Sequence, residues 1–224
     1  MESIVRQGAQ TPQKKNTGLK IGVAVLIVLI AAVCVVVGLA FSDPYRDRGL
    51  ETIQPSDRLA TVTAASVLTG KENSFSIDDV NAYLAYRFQQ DTAKGQGADF
   101  QVKAVEAIDF SGSSADIYLP VVFRGKSIGV SFNVTPSLDA AAGELRFQVN
   151  SAHVGRLPVP VDPVLRKAEA HLPEDFRLDG HTVVCRAPSL KISALGVTAS
   201  ASLTEMKLGD GTLNLAAKAK LTLG

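Results

Sequence analysis

Three short groupings carry residue types that could do chemistry. The first is Gly125-Lys126-Ser127-Ile128-Gly129, a match to the G-x-S-x-G pattern that presents a serine nucleophile in many esterases and lipases. That pattern works where a strand turns sharply into a helix and lifts the hydroxyl above a sheet. Here Ile128, Val130, Phe132 and Val134 come next, alternating with Gly129, Ser131, Asn133 and Thr135. A period of two marks a strand, not a helix. The spacing predicts a hairpin turn at Arg124-Gly125-Lys126, with Ser127 opening the second strand on its polar face. Asp162 and His171 or His181 do occur in esterase order, but three common residues in order carry little weight.

The second grouping is His181 and Cys185, which would share one face of a strand and make half of a metal site. No third ligand lies nearby in the sequence, so a surface histidine and a buried free thiol are expected instead. The third is Asp78-Asp79. Paired carboxylates suggest acid–base work, yet these fall in the first turn of a helix, where acids favour the dipole anyway. With no glycine-rich phosphate loop either, the sequence predicts no enzyme, no metal and no cofactor.

The surrounding elements are well marked. "TVTAASVL" (Thr61 to Leu68) reads as a first strand. Ser76 with Asp79 three residues on reads as a capping box, and Phe75 with Val80 as a hydrophobic staple. Ile77, Val80, Leu84 and Phe88 then recur at helical spacing, with Tyr83 beside them, up to about Gln90. From Phe100 the period changes to two, and one apolar face runs from Phe100 to Phe110, broken only by Glu106. Strands are expected around Ile117–Phe123, Ile128–Val134 and Leu145–Val149. "GRLPVP" extends the chain, and Asp162 and Pro163 start a second short helix. Further strands lie at "HTVVC", "LKISAL" and Val197–Leu208, with a β-bulge near Thr204-Glu205. "GDG" at 209 to 211 turns the chain into the last strand, Leu213 to Leu223.

One segment sets the organisation of the whole chain. Ile21 to Phe41 is 21 residues without a charge, about 31 Å as a helix, which matches the hydrocarbon thickness of a bilayer. Arg6, Lys14, Lys15 and Lys20 precede it against the single acid Glu2. The basic flank stays cytoplasmic, so the chain beyond Phe41 should lie outside. The run exceeds the core of a signal peptide, so an uncleaved anchor is expected. The expected layout is a cytoplasmic basic tail over 1–20, a transmembrane anchor over 21–41, a tether over 42–60 and an extracytoplasmic domain over 61–224. From Ser42 onward, 21 acids face 19 bases. No basic footprint for nucleic acid is present. Cys34 lies within the apolar run, so Cys185 has no disulfide partner outside.

The single N-terminal span, the helix entry "SIDDVNAYL", the hairpin "IYLPVVFRGKSIGVSFNV", "GRLPVP" before a short helix and the closing strands around "GDG" resemble the YpmS-like family. Its members are membrane-anchored proteins of Gram-positive bacteria, and the resemblance covers most of Thr61 to Leu223. It implies an anchored extracytoplasmic domain and brings no settled activity.

The fold class expected is α+β: one transmembrane helix, then a curved, mainly antiparallel sheet packed on two short helices. About eight strands span nearly 40 Å, of which two helices cover about half. The remaining apolar face must curl onto itself or stay open as a groove lined by Val80, Tyr83, Leu84, Phe88, Leu213, Leu215 and Leu221. An open groove implies a lipid or other apolar ligand. A closed one implies a scaffold that contacts envelope proteins.

Overall fold

The computed structural model describes residues 30–48, 52–67, 70–91, 96–97, 100–169, 172, 175–187, 190–194, 197–209 and 211–223. Between Gly38 and Leu39 the chain divides into two units, Met1–Gly38 and Leu39–Gly224. Residues 30–41 are helical (α1), with Ile30, Val33, Val35, Val36 and Val37 exposed. Residues 21–29 of the apolar run lie outside the described residues. Among those described, no helix is long and apolar enough to cross a membrane.

The second unit is α+β, with antiparallel strands throughout its described pairings. Its helices are α2 (Arg58–Ser66), α3 (Ile77–Asp91) and α4 (Val161–Glu169). The smaller sheet has four strands in the order β1-β13-β12-β11: β1 is Asn73–Ser76, β11 Leu190–Ala194, β12 Val197–Gly209 and β13 Thr212–Leu223. The other is a curved half-barrel. Its strands are β2 (Gln96–Gly97), β3 (Phe100–Val102), β4 (Glu106–Ser111), β5 (Ser114–Phe123), β6 (Lys126–Asp139), β7 (Glu144–Val154), β8 (Leu157–Val159), β9 (Phe176–Asp179) and β10 (Thr182–Arg186). They run in the order β2-β3-β5-β6-β7-β10-β9, with β4 also on β5 and β8 also on β7.

Several sequence expectations meet the structure directly. The capping box of α3 forms: the Ser76 N–H donates to Asp79 Oδ2 at 3.1 Å, and the Asp79 N–H returns to Ser76 Oγ at 3.2 Å. Phe75 is buried in a core cluster against which Val80 packs, in keeping with the staple. The register of β12 on β13 shifts between Leu203 and Glu205, where the change of apolar parity placed a bulge.

Others are corrected. Thr61–Leu68 is not a strand, because α2 covers most of it. Thr61, Val62 and Thr63 carry the β-branching of a strand, but Leu59, Thr63 and Ser66 are the buried positions, four and three apart. The two buried hydroxyls are satisfied inside the helix, Thr63 Oγ1 donating to Leu59 O at 2.7 Å and Ser66 Oγ to Thr63 O at 2.8 Å. Back-bonding of this kind lets polar β-branched residues sit on a helix's inner face. The helix also starts before Thr61, within the stretch assigned to a tether. Residues 44–47 of that stretch form turns, and the side chains of Asp43 and Arg48 on either side bond to Tyr118 and Glu106 of the half-barrel. Phe100 to Phe110 is two strands, with Lys103 between them donating its N–H to Pro120 O at 2.8 Å.

The expectation of one sheet on two helices also changes: three helices serve two sheets. Phe110, Val134 and Val149 of the half-barrel share a core with Leu208 and Leu213 of the small sheet, and with Val80, Leu84 and Leu165 from the helices. A second cluster joins Leu59 and Val62 of α2 to Phe75, Leu215 and Tyr83. The segment with the composition of a strand therefore packs, as a helix, on Phe75 and Leu215 of the small sheet.

Candidate functional site

The most constructed polar region begins where the apolar run ends. A helix leaves its last carbonyls without intrahelical donors. At the end of α1, Leu39 O accepts the Ser42 N–H at 3.2 Å and, from the turn between β7 and β8, the Arg156 N–H at 2.9 Å. Gly155 permits this approach. Its φ is +59°, and a Cβ there would lie 2.5 Å from Ala40 O and 2.6 Å from Leu39 O. Gly129 on β6 does the same for Asp43, whose carboxylate would lie 2.5 Å from an added Cβ. Two glycines thus form a seat for residues 39–43.

Asp43 then organises the turn beyond this seat. Its Oδ1 accepts the Tyr45 N–H at 3.0 Å and its Oδ2 accepts the Tyr118 hydroxyl at 2.6 Å. The rings of Tyr45 and Tyr118 meet edge to face, with centroids 5.3 Å apart. Tyr118 is 2% exposed. Burial, the bond to Asp43 and the charges of Asp43 and Glu106 hold its phenol well above the ordinary tyrosine range.

Glu106 lies directly across from Tyr118 in the ladder. Sequence periodicity marks it as an interruption of an apolar face, and it is indeed buried, at 5% exposure. Arg48 Nε donates to its Oε1 at 3.1 Å, while Oε2 has no hydrogen-bond partner among the described residues. Beside it a cleft of about 490 Å³ is lined by Arg48, Ile53, Ile77, Asp78, Asn81 and Glu106, among others. Asn81 is buried too. Its amide acts as a short strand, Nδ2 donating to Ala107 O at 2.9 Å and Oδ1 accepting the Ala107 N–H at 2.7 Å. The register of β4 on β5 shifts beside Ala107, so these two backbone groups need a side-chain partner. Sequence reasoning singles out none of Asp43, Arg48, Asn81 and Tyr118. The only signal is Glu106, a charge out of place in a period-two pattern.

The residues singled out for chemistry are placed apart. Ser127 is exposed on β6, one residue past the hairpin turn and its opening Lys126. The G-x-S-x-G match lies in a hairpin, without the strand-to-helix turn that would aim the hydroxyl. His181 is in a turn, its Nε2 2.5 Å from Asp162 Oδ1, while Cys185 is buried on β10. Burial and then the charge of Asp175 push the Cys185 thiol up. Asp79 is engaged by the α3 cap and by Arg58 Nη1 at 3.1 Å.

Of the residues expected to line a groove, Val80 and Leu213 pack against both core clusters, Leu84 against the first, Tyr83 against the second, and Leu215 is a buried member of the second. Phe88 is half-buried on α3. Leu221 pairs with Ala199 in the ladder, and its side chain lies outside the described residues. Compared with protein families, curated proteins and solved structures, the chain matches none.

Proposed function

We propose that the chain is a membrane-anchored, extracytoplasmic, non-enzymatic module that acts by contacting envelope components with its surface. One observation carries the surface reading over a lipid-holding interior. Val80, Leu84 and Leu213, the centre of the expected groove, are partly buried and pack against the core cluster of the half-barrel. The cleft at Glu106 takes no wall from any of them. An apolar ligand along this stripe would have to separate contacts that already hold the sheets together. The anchor itself rests on the uncharged run Ile21–Phe41 and its basic flank. The resemblance to the YpmS-like family agrees with an anchored module and adds no activity.

Substituting Leu84→Trp tests the choice between closed core and groove. A larger ring overpacks a filled interior by about 1–3 kcal/mol but is accommodated in an open groove. The expected outcome is a lowered urea midpoint for the full-length protein in detergent, with no lipid beyond the detergent-exchangeable annulus in organic extracts. An unchanged midpoint together with a stoichiometric bound lipid would restore the groove and overturn the surface reading.

A further inference from the structure

Among the described residues outside α1, Phe123 is the only large apolar side chain left strongly exposed, at 43%. It ends β5 at the tip of the hairpin, and its neighbours are basic. Arg124 lies over the Phe123 ring, its Cζ 5.4 Å from the centroid. Lys126 Nζ lies 5.3 Å from the centroid of Phe41, the last residue of the apolar run. The adjacent turn contributes Arg156, an exposed residue whose N–H is bonded to Leu39 O. Arg124 also occupies the left-handed region at φ +48°, where asparagine or glycine is favoured. Asp43, the first acid after the run, is turned inward to Tyr118.

Depth follows from chain continuity. If Ile21–Phe41 spans the bilayer, Phe41 sits where hydrocarbon gives way to headgroups, and so must whatever packs on residues 39–41. Aromatic rings with cationic neighbours at that level are the usual furnishing of a membrane interface, the rings among the glycerol backbones and the cations on phosphate. We infer that the edge bearing Phe123, Arg124, Lys126 and Arg156 rests on the bilayer and holds anionic phospholipid headgroups. The inference rests on the anchored reading above. Its consequence is a domain whose hairpin edge is fixed at headgroup level.

The chain has no tryptophan, so Phe123→Trp makes a single fluorescent reporter at the tip. Ala141→Trp, in the turn between β6 and β7, puts the same reporter at the far end of β6, roughly 40 Å away at strand rise. Each full-length variant is reconstituted into phosphatidylcholine vesicles, with or without phosphatidylglycerol, that carry a nitroxide on the headgroup. The expected result is loss of emission from the Phe123→Trp variant, deepened by phosphatidylglycerol, with emission retained in the Ala141→Trp variant. Replacing Arg124, Lys126 and Arg156 together by Gln should remove the deepening. Equal quenching of the two variants in protein that floats with the vesicles would overturn the inference. Quenching indifferent to phosphatidylglycerol would overturn the headgroup contact. Protein that fails to float with vesicles after a carbonate wash would instead overturn the anchor.

Discussion

The Tyr118 hydroxyl donates to Asp43 Oδ2 across 2.6 Å, tying a residue two places beyond the apolar run to the interior of the half-barrel. The stretch expected to be a tether is therefore a built joint at its start. Its parts are a buried phenol, a carboxylate with two donors, and two glycines that make room.

Tyr118 gives that joint a pH dependence. Its phenol binds its proton more tightly in the folded protein than at the ordinary value of about 10. The unfolded chain therefore ionises first, and the contribution is full below about pH 10 and is lost as pH rises from there through the raised value of the folded state. Tyr118→Phe should cost about 1–3 kcal/mol at neutral pH, because Asp43 loses a donor. It should also flatten the alkaline decline in stability. Urea midpoints from pH 7 upward check both; an identical alkaline limb in the variant would count against the bond.

Gly155 separates backbone strain from crowding. Gly112 has the same φ of +59° and nothing within 4 Å of an added Cβ, whereas Gly155 faces two backbone oxygens. Gly112→Ala should cost about 1 kcal/mol for its conformation alone. Gly155→Ala should cost more by about 1–3 kcal/mol, since backbone must move. Equal losses in denaturant titrations would mean that residues 39–40 do not occupy the seat.

Asn81→Ala removes both partners of the Ala107 backbone while leaving those groups buried. A loss of about 2–4 kcal/mol is expected, well above the effect of an ordinary surface change. A change under about 0.5 kcal/mol would show that water serves Ala107 equally well.

Ser127→Ala should change stability by less than about 0.5 kcal/mol and leave cellular function intact. A fluorophosphonate probe should not label Ser127. Covalent labelling at that serine would reverse the reading of the G-x-S-x-G match.

Legibility in the sequence tracks periodicity. Alternation of apolar and polar residue types reveals β6, β12 and β13, and the change of parity within β12 reveals the bulge at Leu203–Glu205. Local capping chemistry reveals α3 from Ser76 and Asp79. α2 escapes because Thr61, Val62 and Thr63 have strand-like side chains, and intrahelical bonding of buried hydroxyls leaves no mark in a hydropathy pattern. Two helices are therefore expected where three pack, since α2 adds Leu59 and Val62 to the cluster around Phe75 and Leu215. The cluster of Asp43, Arg48, Asn81, Glu106 and Tyr118 is invisible for another reason. Its members lie up to 75 residues apart, and nothing local links a polar residue in a turn to a tyrosine on a distant strand.

The central claim is that the domain stands outside the membrane on an uncleaved anchor. A reporter active only outside the cytoplasm, fused after Gly224, tests it most directly. The fusion should be active, should stay in the membrane fraction after a carbonate wash, and should retain its N-terminus. Activity of a cytoplasm-only reporter at the same position, with the extracytoplasmic one silent, would contradict the claim.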